Sequence, residues 1–91
     1  MERITEKMLE MLVKRINQIT GNPESSYTQD KDGEYTANPG NYHLSGAYGG
    51  VALHQMANEG GGVHDIFGGH MPKRELFERM HAFIKGIQAS N

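Results

Sequence analysis

Apolar residues recur at helical spacing towards both ends of the chain, and the middle follows other rules. Over residues 3–20, Ile4, Met8, Leu9, Met11, Leu12, Ile16 and Ile19 are interleaved with Glu6, Lys7, Glu10, Lys14 and Arg15, which predicts an amphipathic helix. Thr20-Gly21-Asn22-Pro23 ends it, because glycine suits a left-handed cap and proline forbids continuation. Pro72 fits the opening turn of a second helix, whose stripe is Leu76, Phe77, Met80, Phe83, Ile84 and Ile87. Glu75 and Arg79 stand one turn apart in the favourable order and should pair on its outer face. Gly86 costs about 1 kcal/mol relative to alanine and points to fraying or close packing near the end.

Between the helices the pattern shortens to runs of β-formers broken by turn residues. Ser25 to Ala37 reads as a hairpin about Asp30-Lys31-Asp32-Gly33. The Asp30-x-Asp32 pair resembles the start of a calcium loop but lacks the ligand series that would complete one. After a turn at Asn38-Pro39-Gly40-Asn41, residues 42–45 and 51–56 would pair across Gly46 to Gly50 as a second hairpin. Residues 51–56 also have the composition of a short helix; the strand reading is preferred. The expected architecture is a single α+β domain over residues 1–91: N-terminal helix, small antiparallel β-meander, glycine-rich loop and C-terminal helix.

At 91 residues such a domain has a small core, so association of copies into a homo-oligomer is expected. The absence of cysteine removes disulfides and thiolate metal sites and suits a reducing cytoplasm. No apolar run is long enough to span a membrane, and the charged first helix is not a signal peptide. Net charge is −2, distributed as +1 over residues 1–20, −5 over 21–71 and +2 over 72–91. So acidic a middle disfavours binding to duplex nucleic acid.

Residues 40–70 hold nine of the twelve glycines and four of the five histidines, which marks them as a candidate binding surface. Within Gly68-Gly69-His70-Met71-Pro72-Lys73-Arg74, two cations occupy the first helical turn, where they oppose the helix dipole. A bound phosphate or carboxylate would relieve that conflict, with Gly68 and Gly69 lending backbone N–H groups to Lys73 and Arg74; solvated charges or a salt bridge to the acidic middle are the preferred reading of the pair by itself. Tyr42 and Tyr48 flank the first glycine cluster and could stack a planar ring, although for Tyr42 packing in the core beside Leu44 is the preferred reading. Gly49 and Gly50 would let a ligand approach the backbone, and His43, His54 and His70 would hydrogen-bond it.

The histidines, with Asp65 and Glu59, invite a metal, but no pair has helical metal-site spacing, so neither metal nor cofactor is expected. Ser45 lies within reach of His54 across the expected hairpin, yet no nucleophile elbow surrounds it. Binding without catalysis is the preferred class.

The runs Thr20-Gly21-Asn22-Pro23, Gly40 to Met56, Asn58-Glu59-Gly60-Gly61-Gly62-Val63 and Lys73-Arg74-Glu75-Leu76 resemble a family of small tailed-phage and prophage proteins. The resemblance extends from about Leu12 to Ile87 and rests mainly on the string G-N-Y-H-L-x-G-A-Y-G-G. It carries no catalytic residue across. It implies a phage origin and action in the cytoplasm of an infected bacterium. In that context the site suggests an anti-defence sponge that sequesters a nucleotide-derived immune signal without turnover. A protein-binding inhibitor of a host enzyme is the alternative, and a metal- or histidine-dependent hydrolase or lyase the third reading.

Overall fold

The computed structural model describes residues 3–90 and has the α+β architecture expected. Helix α1 spans Glu6–Thr20, starting later than the hydrophobic pattern suggests because Thr5 is extended and its hydroxyl accepts the Met8 N–H at 3.2 Å. At its other end Gly21 has φ 72°. The Gly21 and Asn22 N–H groups bond back to Gln18 and Asn17, so the predicted glycine cap forms. Leu9 and Ile16 are fully buried, whereas Met11, expected in the apolar stripe, is exposed on the opposite face.

Strands β1 (Tyr27–Gln29) and β2 (Tyr35–Ala37) form the first hairpin, in which Asp30 Oδ1 accepts the Asp32 and Glu34 N–H groups. That bonding explains the acidic turn without calcium. Strands β3 (Tyr42–Ala47) and β4 (Gly50–Met56) form the second hairpin, so residues 51–56 are strand. The expected antiparallel strands form, and two features the sequence left open are resolved. The hairpins belong to separate sheets, and the glycine-rich loop contains a further strand, β5 (Val63–Asp65), antiparallel to β4. The intervening glycines fold around Asn58, whose side-chain oxygen accepts the Gly60 and Gly62 N–H groups.

Beyond β5 the chain returns to the edge of β4 through a Val51–Met71 bridge, and Pro72 then leads into α2 (Lys73–Ser90). Leu76, Met80 and Ile84 of α2 join Leu9 and Ile16 of α1 in one core cluster with Tyr42, Val51, Leu53 and Met71. Strand alternation therefore puts Tyr42, Leu44, Val51 and Leu53 beneath the helices, and His43, Ser45, Ala52 and His54 on the other face. Each fully buried leucine or methionine here contributes about 1.5–3 kcal/mol. Glu75 and Arg79 form the expected pair at 3.2 Å, half exposed, where it adds little stability. Among the described residues no helix is long and apolar enough to cross a membrane.

Two buried asparagines connect these layers. The Asn17 amide donates to the Tyr42 carbonyl at 3.0 Å and accepts the Tyr42 N–H at 2.8 Å, so α1 takes the place of a neighbouring strand at the start of β3. Asn41 donates to Pro23 O and accepts from Ser26. Replacing Asn17 by alanine leaves both Tyr42 backbone groups without these partners, at about 1–3 kcal/mol each. Urea unfolding of Asn17→Ala is expected to show a loss of about 2–4 kcal/mol, with exposed Gln18→Ala within about 0.5 kcal/mol of wild type.

Candidate histidine face

The β3–β4 turn carries the most exposed large hydrophobic side chain among the described residues. Ala47 and Gly50 are the last paired residues, leaving Tyr48 and Gly49 as a two-residue turn with φ 54° and 72°. Positive φ at both positions identifies a type I′ turn, which matches the twist of the strands it joins. Glycine occupies the left-handed region freely, but a tyrosine there costs about 1 kcal/mol. Tyr48 nevertheless stands at this strained position with 97% of its surface exposed. Its ring meets that of His70 at a centroid distance of 5.8 Å, with the two planes near perpendicular.

From Tyr48 the rings continue across the sheet. His70 meets His54 at 5.9 Å, and His54 meets His43, its cross-strand partner, at 5.9 Å. Ala52 is fully buried opposite Ser45, and the Ser45 hydroxyl lies 3.2 Å from His70 Nε2. On the far side Asp65 faces His54 across β4 and β5, with Oδ2 3.7 Å from His54 Nε2. Two strands and the segment before α2 thus bring Tyr48, His70, His54 and His43 together as the sequence suggested. His64 and His81 are exposed elsewhere, and no cluster of metal-ligating side chains occurs among the described residues.

The position of His70 depends on Gly50. A Cβ at Gly50 would lie 3.0 Å from the Met71 carbonyl oxygen and 3.1 Å from its nitrogen. Glycine therefore permits the close approach that forms the Val51–Met71 bridge, one residue beyond His70. The Asn41 oxygen lies 3.2 Å from His43 Nδ1. An amide oxygen can only accept, so Nδ1 carries the proton and the Nε2 of neutral His43 is an acceptor. Burial, followed by the nearby charge of His54, lowers the His43 pKa from its ordinary 6.5, against the opposing effect of a hydrogen bond with the Asn41 backbone.

Several sequence expectations change. Tyr42 takes the core position preferred for it and not the stacking one: only 8% of it is exposed, its ring packs edge-on against Phe83 at 5.9 Å, and burial raises its pKa. Gly49 and Gly50 serve the turn and the Met71 contact rather than a ligand-facing loop. The Gly68–Gly69 backbone does not present a vacant anion cradle, because the Gly68 N–H donates to Asp65 Oδ1 at 3.0 Å. For Asp65, burial acts to raise the pKa, but backbone hydrogen bonds from Gly69, Gly68 and Phe67, with the charge of His54, bring it below its ordinary value. Lys73 and Arg74 are exposed in the first turn of α2. The sequence pattern offers Asp65 as a metal ligand, whereas its role as an anion for backbone N–H groups is signalled by the following Ile66-Phe67-Gly68-Gly69, a turn sequence that supplies such donors.

Tyr48→Gly is expected to raise stability by about 1 kcal/mol by removing left-handed strain, whereas Gly50→Ala, pressed against Met71, should lose about 1–3 kcal/mol; urea unfolding measures both. The lowered His43 pKa means that the unfolded chain takes up that proton first. Stability should therefore fall as pH drops below about 6.5 and stop falling, for this group, below its folded value. His43→Asn, which keeps a donor for Asn41, should flatten that part of the pH–stability profile.

Comparison with protein-family models, with curated proteins and with solved structures finds no match to this chain.

Proposed function

We propose that this chain is a small binding protein that sequesters, without turnover, a nucleotide-type ligand bearing a base and phosphate. The observation that carries this reading is the unbroken row of rings from exposed Tyr48 through His70 and His54 to His43. An aromatic ring held in water at a strained turn is a stacking surface for a base, worth about 1–3 kcal/mol in nucleic-acid binders. One ring nitrogen of His43, His70 and His54 faces Asn41, Ser45 and Asp65 respectively, and the other nitrogen of each is assigned to base edges or ribose hydroxyls. Phosphate is assigned to the first turn of α2, three residues beyond His70 in the chain, where Lys73 and Arg74 add positive charge. The acidic middle of the chain suits this compact anion better than a long polyanion.

The arrangement around Ser45 supports retention over reaction. Its neighbour is His70, but the carboxylate that would orient a catalytic imidazole faces His54 instead. Resemblance to phage proteins extends the proposal to an anti-defence sponge acting in the cytoplasm of an infected bacterium, with exposed Met11 and Tyr35 available for contact between copies. The second reading, a protein-binding inhibitor of a host enzyme, is favoured by the same prominent Tyr48, since aromatic tips anchor protein contacts.

Isothermal titration with a panel of cyclic mononucleotides, cyclic dinucleotides and ADP-ribose derivatives tests the proposal. Stoichiometric binding is expected, with the ligand recovered unchanged, and Tyr48→Gly and His70→Ala should each weaken it by about tenfold or more while the circular dichroism of the fold persists. Silence across the panel, or full affinity in both variants, contradicts the proposal. Recovery of a new chemical species would make the protein an enzyme.

A further inference from the structure

A second recognition surface lies at the outer edge of β3, away from the proposed phosphate site. In the three-stranded sheet β3 is paired on one side only, with β4. The turn closes on the hydrogen-bonded pair Ala47–Gly50, so alternation makes Ser45–Ala52 and His43–His54 hydrogen-bonded pairs as well. Tyr42, Leu44 and Gly46 consequently direct their N–H and C=O groups away from β4. Asn17 confirms the pattern by bonding both groups of Tyr42 from that outer side. The corresponding groups of Leu44 and Gly46 form a strand edge able to pair with another extended chain.

Beside that edge runs a cleft of about 260 Å³ between α1, the segment before β1 and β3. Val13, Tyr42 and Leu44 give it apolar surface, and Glu6, Glu10 and Glu24 place three carboxylates around it. The ion pairs among the described residues, His54–Asp65 and Glu75–Arg79, involve none of these glutamates. Glu6 and Glu10 lie one helical turn apart, with Val13 on the same side of α1. The combination is a helix, an open strand edge and a cleft of one charge sign between them.

We propose that this cleft receives an extended, Lys- or Arg-bearing segment of a partner protein, which adds to β3 as an outer strand. Backbone groups of Leu44 and Gly46 hold the segment by strand addition, and its alternate side chains enter the cleft. The methylene stems of a lysine or arginine lie along Val13 and Leu44 while the head group meets Glu6, Glu10 or Glu24. Asn17 ends the docking site at Tyr42, because it already occupies that residue's backbone groups. Charge selects the occupant. A second copy pairing through its own β3 would bring the same three glutamates against these, and a nucleic acid would bring phosphates. His43 lines this cleft and also ends the ring row, so the two surfaces adjoin there, but the strand proposal uses the glutamates and the Leu44 and Gly46 backbone and does not require the nucleotide proposal.

The test is a fluorescence-anisotropy titration of the whole protein with labelled hexapeptide libraries that alternate β-branched residues with Lys or Arg, against matched libraries carrying Asp or Glu. Amide hydrogen exchange is read by NMR in the same samples. The basic library is expected to bind, to weaken with added salt, and to slow exchange of the Leu44 and Gly46 amides. The exposed substitutions Glu10→Lys and Glu24→Lys together should reduce that binding by about tenfold or more while the spectrum of the fold is kept. N-methylation of alternate peptide amides should abolish it in one of the two possible registers. Equal binding of acidic and basic libraries, no binding of either, binding without protection at Leu44 and Gly46, or dimerisation through β3 would each overturn the proposal.

Discussion

The pairing of the Asn17 amide with both backbone groups of Tyr42 is the constraint on which the arrangement of the protein depends. It is almost fully buried, and it joins the end of α1 to the start of the sheet's edge strand at distances of 3.0 and 2.8 Å. A small core cannot leave such groups unpaired, since each would cost a substantial share of a stability of 5–15 kcal/mol, a range typical of about any globular domain. By supplying one residue of strand-like bonding from a helix, Asn17 sets where α1 lies along β3. The cleft lined by Glu6, Glu10 and Glu24 exists because α1 is tied to β3 at Tyr42 and runs on past Leu44.

With both helices on one side, the other face of the sheet carries its polar residues. Histidines that a three-layer fold would have covered are instead held half-buried in a row, supported by a fully buried Ala52 and by Asn41. Glycine makes two close fits possible there, the reversal at Gly49 and the approach of Gly50 to Met71. Tyr48 alone departs from this economy. It accepts left-handed strain while exposing its ring, the kind of local conflict that functional positions retain.

The helices, the Gly21 cap and both hairpins were legible in the sequence because each rests on local signals: apolar spacing, Gly-Asn-Pro, and glycines between β-formers. The convergence of Tyr48, His43, His54 and His70 was suggested by composition, but the order of their rings follows from the register His43–His54, which no local rule specifies. Strand β5 was hidden because Val63-His64-Asp65 is too short to announce itself among glycines; it pairs only because β4 offers an edge. The glycines themselves misled. Read as room for a ligand, they serve turns, a tight backbone contact and the hydrogen bonds of Asn58 and Asp65. Asn17 followed Ile16 in an apolar stripe, and its partner twenty-five residues away was not visible from spacing.

These observations describe one protein with two unlike surfaces: an imidazole and tyrosine face proposed to retain a small ligand, and an acidic edge proposed to accept a basic strand. The central claim, retention of a nucleotide-type ligand without turnover, is tested most directly by native mass spectrometry of the purified protein before and after exposure to a filtrate containing nucleotide signals. The account predicts a stoichiometric adduct whose mass is unchanged when it is released by denaturation. An adduct-free protein across the whole signal set, or release of a converted product, would contradict it.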